Sequence, residues 1–330
     1  MISSPPIRIG VLGAAAIVPM ALTRPARSVP EVQVTAIAAR DPKRAETFAR
    51  RHRIPRVHLS YRALLADPDI DAVYNPLPNS LHAEWTIAAL KAGKHVLCEK
   101  PFASNAKEAE GMAQAARETG LVLSEAFAYR YHPLTARVKQ ILASGELGRI
   151  RHIEAKFCFL LPSPKNIRFQ YELAGGALMD CGCYPVSLIR YLAETEPQVD
   201  QAQARLFAPQ VDHNMIAELS FADGCTAHLE CGMLSPKLFR STLKVIGEAG
   251  TLHVISPFQP HIFHLLTVRK PNGTHRERVS GQNSYILQLR AFVKAIRGEI
   301  ELNTDPADAI CNMCIIDAIY EKAGLGKRGT

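Results

Sequence analysis

Apolar positions in the first 126 residues fall into short runs separated by stretches of helical spacing, and the alternation predicts one element after another. Ile7-Arg8-Ile9-Gly10-Val11-Leu12 reads as a strand. Gly13-Ala14-Ala15-Ala16-Ile17 turns from it into a helix, with Pro19 tolerated in the first turn, where a backbone N–H has no partner to lose. A second strand follows over Val32 to Ala39, then a helix from about Pro42 to Arg53, a short strand near Val57 and a helix after Ser60. Ala72 to Asn75 reads as a fourth strand, Leu81 to Ala92 as a helix closed by Gly93, and His95 to Glu99 as a fifth strand. Ser104-Asn105 opens another helix, ended by Gly120, and Leu121 to Ala126 holds a sixth strand. Six strands with crossover helices make an α/β chain that begins with a doubly wound parallel sheet of Rossmann type.

After Tyr131 the period changes. A helix from Pro133 to Ser144 leads to a long alternating strand from about Arg149 to Leu161, a proline-containing loop, a helix from Ala177 to Leu192 and a series of strands. Phe221-Ala222-Asp223-Gly224-Cys225 and Lys270-Pro271-Asn272-Gly273-Thr274 are hairpin signals, so this half is expected to hold an open, mostly antiparallel sheet with helices, closed by helices over about Ser284 to Arg297 and Pro306 to Ala323. The expected division is a dinucleotide-binding domain over residues 1–126 and a substrate-binding and oligomerisation domain over 127–330. Such sheets commonly cover one face only, and a broad apolar second face would make a homodimer or homotetramer.

Composition adds limits. A chain of 330 residues, 47% apolar, is long enough for two filled cores. The net charge of +8 is scattered among acids, with one concentration from Arg40 to Arg56, which fits a phosphate-bearing small molecule rather than nucleic acid. No stretch has the ~18 consecutive apolar residues of a membrane span, and Met1 to Pro6 lack the regions of a signal peptide, so the expected location is the cytoplasm. Eight cysteines lie mostly within apolar patterns, as reduced core thiols do. Cys311 and Cys314 have a metal-pair spacing but no second pair nearby, and His261 and His264 are no better placed, so no metal site is expected.

Three stretches carry candidate chemistry. The fifth strand stops at Glu99-Lys100-Pro101, and ligands of a doubly wound sheet collect beyond the carboxyl ends of its strands, which aims Lys100 at whatever the sheet binds; a pair of solvated loop charges is the plainer alternative. At the first turn only Gly13 matches the G-x-G-x-x-G fingerprint, with Ala15 and Val18 at the other two places. Ala15 is small enough for close backbone approach, whereas Val18 departs from it. After the second strand, Arg40 and Arg44 flank a helix start where a 2′-phosphate would find guanidinium groups and free N–H groups, favouring NADP over NAD; a solvated helix face capped by Asp41 is the alternative. Asp180 and Tyr184, one helical turn apart among small and apolar residues, form either a site or a core tyrosine bonded to a buried acid.

With these residues in view the chain resembles the glucose-fructose oxidoreductase, inositol dehydrogenase and MocA family across nearly its whole length. It resembles most the branch of dihydrodiol dehydrogenases and NADP-linked sugar oxidoreductases. The resemblance implies a nicotinamide site at the junction of the two domains and a catalytic group of Lys100, Asp180 and Tyr184, the tyrosine replacing a histidine that many members carry. Residues expected along the cofactor are Gly13, Ala15, Ala16, Ile17, Arg40, Arg44, Pro78, Asn79, His82, Glu99 and Lys100. The expected function is NADP-dependent oxidoreduction, a hydride passing between the nicotinamide and a carbinol or ketone carbon of a sugar, polyol or cyclic diol. A phenol of pKa ~10 is too weak a base, but a Lys ammonium ~4 Å away contributes ~4 kcal/mol, worth ~3 pH units, so Tyr184 is expected as acid/base with Lys100 as its partner. Tyr129, His132 and Arg168 are expected around the substrate. These polar groups, with Ala128 where dihydrodiol enzymes carry tryptophan, point to a sugar-like substrate. A non-catalytic cofactor-binding regulator and a redox-neutral lyase or glycosidase are the alternatives.

Overall fold

The structure is a computed structural model and describes residues 5–329, so most of the Met1 to Pro6 stretch lies outside the described residues. The chain forms two compact units.

The first unit comprises residues up to Ala103, Lys107–Ala128 and Tyr285–Ile310. Its sheet holds β1 (Ile7–Leu12), β2 (Val32–Ala38), β3 (Arg56–His58), β4 (Ala72–Asn75), β5 (His95–Cys98) and β6 (Leu123–Glu125), all parallel, in the order β3-β2-β1-β4-β5-β6. The order reverses between β1 and β4, which opens a crevice at the carboxyl ends of those strands. The helix after β1 starts later than its sequence suggests. Gly13 to Ile17 form a loop, and Val18 leads into a π-helical turn at Pro19–Thr23 and one short turn of α-helix at Arg24–Ala26. Val18 is fully buried beside Leu22, Ile9 and Tyr74 and serves as a core residue where the fingerprint glycine would allow close packing.

This core also takes Leu289, Phe292 and Val293 from the helix Ser284–Ile296, and Thr304 accepts the backbone N–H of Glu125 at 3.0 Å. The boundary therefore differs from a single cut after residue 126. The chain returns to the first unit late, because an apolar helix face buries where a complementary face exists, however distant in sequence.

The second unit carries β7 (Ile150–Leu160), β8 (Gln198–Ala208), β9 (Val211–Ser220), β10 (Thr226–Gly232), β11 (Leu234–Gly247), β12 (Thr251–Ile255), β13 (Leu265–Lys270) and β14 (Gly273–Glu277) in the order β14-β13-β12-β11-β7-β10-β9-β8. Both expected hairpins are present, and β7 pairs with β10 in parallel while its other neighbour, β11, runs antiparallel. Ile153, Ala155 and Phe157 of β7 and Ala227, Leu229 and Cys231 of β10 are buried on one face, against which the helix Cys183–Ala193 packs. The alternate residues point the other way. They are His152, Glu154 and Lys156, with Glu218, His228 and Glu230 beside them, and they form ion pairs such as Lys156–Glu154 at 2.7 Å and His228–Glu218 at 2.6 Å. The expected broad apolar second face is thus a charged one: alternation put apolar side chains on the helix side, and opposite charges on neighbouring strands pair across the other.

Candidate active site

At the switch point of the first unit, Gly13 has φ +94° and donates its N–H to the Ala38 carbonyl at 2.6 Å. A side chain there would be strained by the left-handed backbone, and its Cβ would lie 3.0 Å from Leu77 Cδ2. Ala14, Ala15 and Ala16 follow, so a turn lined by small side chains leaves backbone accessible to a phosphate, which is the fit a dinucleotide requires. Arg44 already reaches this turn, its Nη2 donating to the Ala14 carbonyl at 2.9 Å. Arg40 is exposed beside it. The N–H groups of the next helix are not free, however: Asp41 caps it, accepting from Lys43 N at 3.0 Å and Arg44 N at 3.4 Å. Asp41 is thus a helix cap, and Arg44 faces the loop. Tyr61, which no sequence motif marks, takes a backbone hydrogen bond from Arg40 at its hydroxyl while burial, the larger effect, pushes its pKa up.

Beyond β5, Glu99 is buried and accepts the Tyr74 hydroxyl at 2.5 Å, with its other oxygen 3.3 Å from the Lys100 N–H. Lys100 stands half-buried at the strand end, before a cis peptide to Pro101. Pro78 precedes the short 3₁₀ turn Asn79–Leu81, also half-buried. His82 is fully buried, its Nδ1 2.8 Å from the Pro101 carbonyl and its Nε2 2.8 Å from that of Leu77. Burial drives its pKa down to about 4, although both carbonyls favour the proton. Its ring thus ties two loops from inside and presents no free nitrogen to a cofactor.

In the second unit, the expected helix over Ala177 to Leu192 opens with a π-helical turn, Leu178–Gly182, before the α-helix Cys183–Ala193. Asp180 stands on the π turn and pairs with Arg168, Nε to Oδ1, at 2.7 Å. The Asp180 charge is the main cause that raises the Arg168 pKa, and the Tyr184 phenol acts on the same guanidinium. Tyr184 is half-buried, its ring edge-on to Phe157 at 5.3 Å and tilted against Phe258 at 5.4 Å and Tyr129 at 6.0 Å. Aromatic rings thus hold the tyrosine, and its phenol lies within electrostatic reach of Arg168.

Tyr129 and His132 lie deeper than expected for substrate contacts. Each is 1% exposed. The Tyr129 hydroxyl is 2.8 Å from Ser187 Oγ. His132 Nδ1 accepts the Leu134 N–H at 3.1 Å as the N-cap of the helix Pro133–Ala143, and its ring lies against His264. Of the three residues expected around the substrate, Arg168 alone is substantially exposed, at 41% of its side chain. Sequence reasoning missed Phe157 and Phe258, which carry no local signal because they come from elements remote from Tyr184 in the chain.

Residues 7–127 match the model of an oxidoreductase family with an NAD-binding Rossmann fold, and residues 135–253 match a GFO/IDH/MocA C-terminal domain. The chain is 37% identical over 320 residues to D-xylose 1-dehydrogenase (NADP(+)) 2 of Haloferax volcanii, with 96% of this chain and 97% of that protein covered. It is 38% identical over 332 residues to dTDP-3,4-didehydro-2,6-dideoxy-alpha-D-glucose 3-reductase of Saccharopolyspora spinosa, with 98% of each covered. Among solved structures it is similar to KijD10, a 3-ketoreductase from Actinomadura kijaniata in complex with NADP and TDP-benzene, with a TM-score of 0.89 and 32% identity over 96% of this chain and 97% of that one. A Rossmann sheet with a phosphate-sized turn, an open mixed sheet and this agreement over nearly the whole length place the chain in the Gfo/Idh/MocA family of oxidoreductases.

Proposed function

We propose that this chain is an NADP-dependent oxidoreductase acting on a carbinol or ketone carbon of a sugar or polyol. The observation that carries the reading is Tyr184, held by aromatic rings beside the Arg168–Asp180 pair, in a family member that also keeps Lys100 at the end of β5. Such a reaction moves a proton at the substrate oxygen, and a positioned phenol with charged neighbours can take and return it. The relatives use NADP or act on sugars and sugar nucleotides, and Arg44 at the Gly13 turn suits the added 2′-phosphate.

The bound cofactor, when present, exchanges a hydride with the substrate carbon. Gly13, Ala15, Ala16 and Ile17 would hold its phosphates, Arg40 and Arg44 its ribose phosphate, and Pro78, Asn79 and the Glu99–Lys100 edge its remainder. Tyr184 gives or takes the proton at the substrate oxygen. Lys100 donates to that oxygen and favours the phenolate. Glu99, fixed by Tyr74, orients the Lys100 backbone. Asp180 holds Arg168, whose partly exposed side chain binds ring hydroxyls.

Purified protein mixed with a panel of aldoses, polyols and their keto forms, with NADP or NADPH followed at 340 nm, tests the reaction. Steady absorbance change on a sugar is the expected result. Product without net change would assign a redox-neutral reaction, and tight NADP binding without turnover across the panel would make the chain a sensor. The buried thiols Cys98, Cys158, Cys181, Cys225 and Cys231 suit the cytoplasm. The charged face of the second sheet, with both signs interleaved, suits a homodimer or homotetramer, which sedimentation at low and high salt would test.

A further inference from the structure

The Arg168–Asp180 pair depends on one residue between them. Gly176 donates its N–H to the Arg168 carbonyl at 2.9 Å and accepts the Asp180 N–H at 3.0 Å, so it joins the loop that carries the arginine to the turn that carries the acid. Gly176 has φ +135°, and a Cβ there would lie 2.2 Å from Asp212 Oδ1 and 2.7 Å from the Tyr320 hydroxyl. These groups are clamped on it.

The clamp comes from the end of the chain. Arg328 is completely buried. Its Nη2 lies 3.1 Å from Asp212 Oδ1, its Nε donates to the Gly175 carbonyl at 3.0 Å, and its guanidinium stacks on the Tyr320 ring at 3.9 Å. Asp212 takes the Tyr320 hydroxyl at 3.0 Å and, through Oδ2, the Leu178 N–H at 2.7 Å, which is the first amide of the π turn. The tail is tied down besides: Gln210 accepts the Gly326 N–H at 2.9 Å, and Asn105 donates to the Arg328 carbonyl at 2.7 Å.

A buried ion pair of this kind is weak evidence for stability, because desolvation offsets much of its attraction. It does impose geometry. Every donor and acceptor of the Arg328–Asp212 cluster that faces the loop ends on the backbone of Gly175 to Leu178, the stretch that sets where Asp180 and then Tyr184 point. We infer that Arg328, acting through Asp212 and Gly176, is a positioning residue for the Arg168–Asp180–Tyr184 group, and that the C-terminal tail is the latch of the catalytic segment. The inference rests on the assignment of chemistry to Asp180 and Tyr184.

Three measurements on the full chain test it. In Arg328→Ala, kcat on the sugar that the wild type turns over should fall about 10- to 100-fold, the cost of a misplacement near 1 Å, with NADP affinity by calorimetry unchanged. Millimolar guanidinium should restore part of that kcat and leave Tyr184→Phe unaffected. Hydrogen exchange of the 175–184 segment should rise in Arg328→Ala and, by less, in Tyr320→Phe, while that of β10 stays put. Tyr320→Phe removes one hydrogen bond without stranding a charge and serves if Arg328→Ala does not fold. Turnover within twofold of wild type in a folded Arg328→Ala, or a loss that guanidinium does not touch, overturns the positioning role. Unchanged exchange of 175–184 overturns the latch even if no sugar is turned over, whereas a wild type inactive on the whole panel counts against the proposed reaction alone.

Discussion

Arg168 Nε lies 2.7 Å from Asp180 Oδ1, and Tyr184 follows that carboxylate by one helical turn. The two charges push the phenol in opposite directions, the guanidinium favouring phenolate and the carboxylate opposing it. Removing either one shifts that balance. Arg168→Met should move the pH midpoint of the oxidation rate upward and Asp180→Asn should move it downward, each by about one unit after allowing for solvent screening. Profiles of kcat against pH for the two variants decide the matter. Shifts in the same direction would show that neither charge acts on the proton-transferring group.

Arg44 donates to the Ala14 carbonyl at 2.9 Å, so its guanidinium is already placed at the Gly13 turn. Charge-assisted hydrogen bonds contribute ~1.5 to 3 kcal/mol each, and 1.4 kcal/mol is tenfold in affinity. Arg44→Ala is expected to weaken NADP at least tenfold while leaving NAD within about threefold. Arg40→Ala should do the same to a smaller degree. Titration calorimetry with both nucleotides measures it, and equal affinity of the wild type for NADP and NAD would remove the basis of the assignment.

Much of this was legible in the sequence, for a local reason. Strand and helix periods are read from neighbours a few residues apart, so the parallel sheet, both hairpins and the strand-end position of Lys100 could be written down in advance. What could not be read is non-local. The parallel pairing of β7 with β10 and the burial of Phe292 in the first unit join residues remote in the chain. Arg168 was expected to touch substrate and Asp180 to belong to the catalytic group; their pairing runs through a glycine whose clamp is Arg328, near the chain end. His132 misled for another reason. A histidine that caps a helix looks, in sequence, like one that faces a ligand.

That cap makes stability pH-dependent. His132 Nδ1 accepts the Leu134 N–H, so the folded chain needs it unprotonated, and burial followed by the His264 and His261 charges lowers its pKa to about 4. An unfolded histidine takes its proton near pH 6.5. The contribution is therefore complete above about 6.5 and is lost as pH falls from there toward 4, with a limit of roughly 3 kcal/mol from the difference. Urea unfolding at pH 7.5, 6, 5 and 4.5 should show the decline. His132→Asn keeps a capping oxygen without the titration, so its stability should fall less steeply over the same range. Parallel declines in the two proteins would assign the acid sensitivity elsewhere.

Tyr184 is where the mechanism is most exposed. Its ring contacts with Phe157, Phe258 and Tyr129 do not involve the hydroxyl, so Tyr184→Phe should keep the fold and the aromatic wall intact. Turnover should nevertheless drop by ~10² to 10⁴, the usual worth of a positioned acid or base. NADP affinity should not change. In the oxidation direction the wild-type rate should rise with pH, since the deprotonated phenol is the base. The role proposed for Lys100 predicts that Lys100→Met moves the midpoint upward, on top of any rise in KM. The two variants must differ in kind: the first loses the pH-dependent limb, the second displaces it. A Tyr184→Phe enzyme that retains near wild-type turnover, together with an unmoved midpoint in Lys100→Met, would mean that the proton travels through another group, and the half-buried Arg168–Asp180 pair would then be the place to look, because His132 is buried and its Nδ1 is committed to a helix cap.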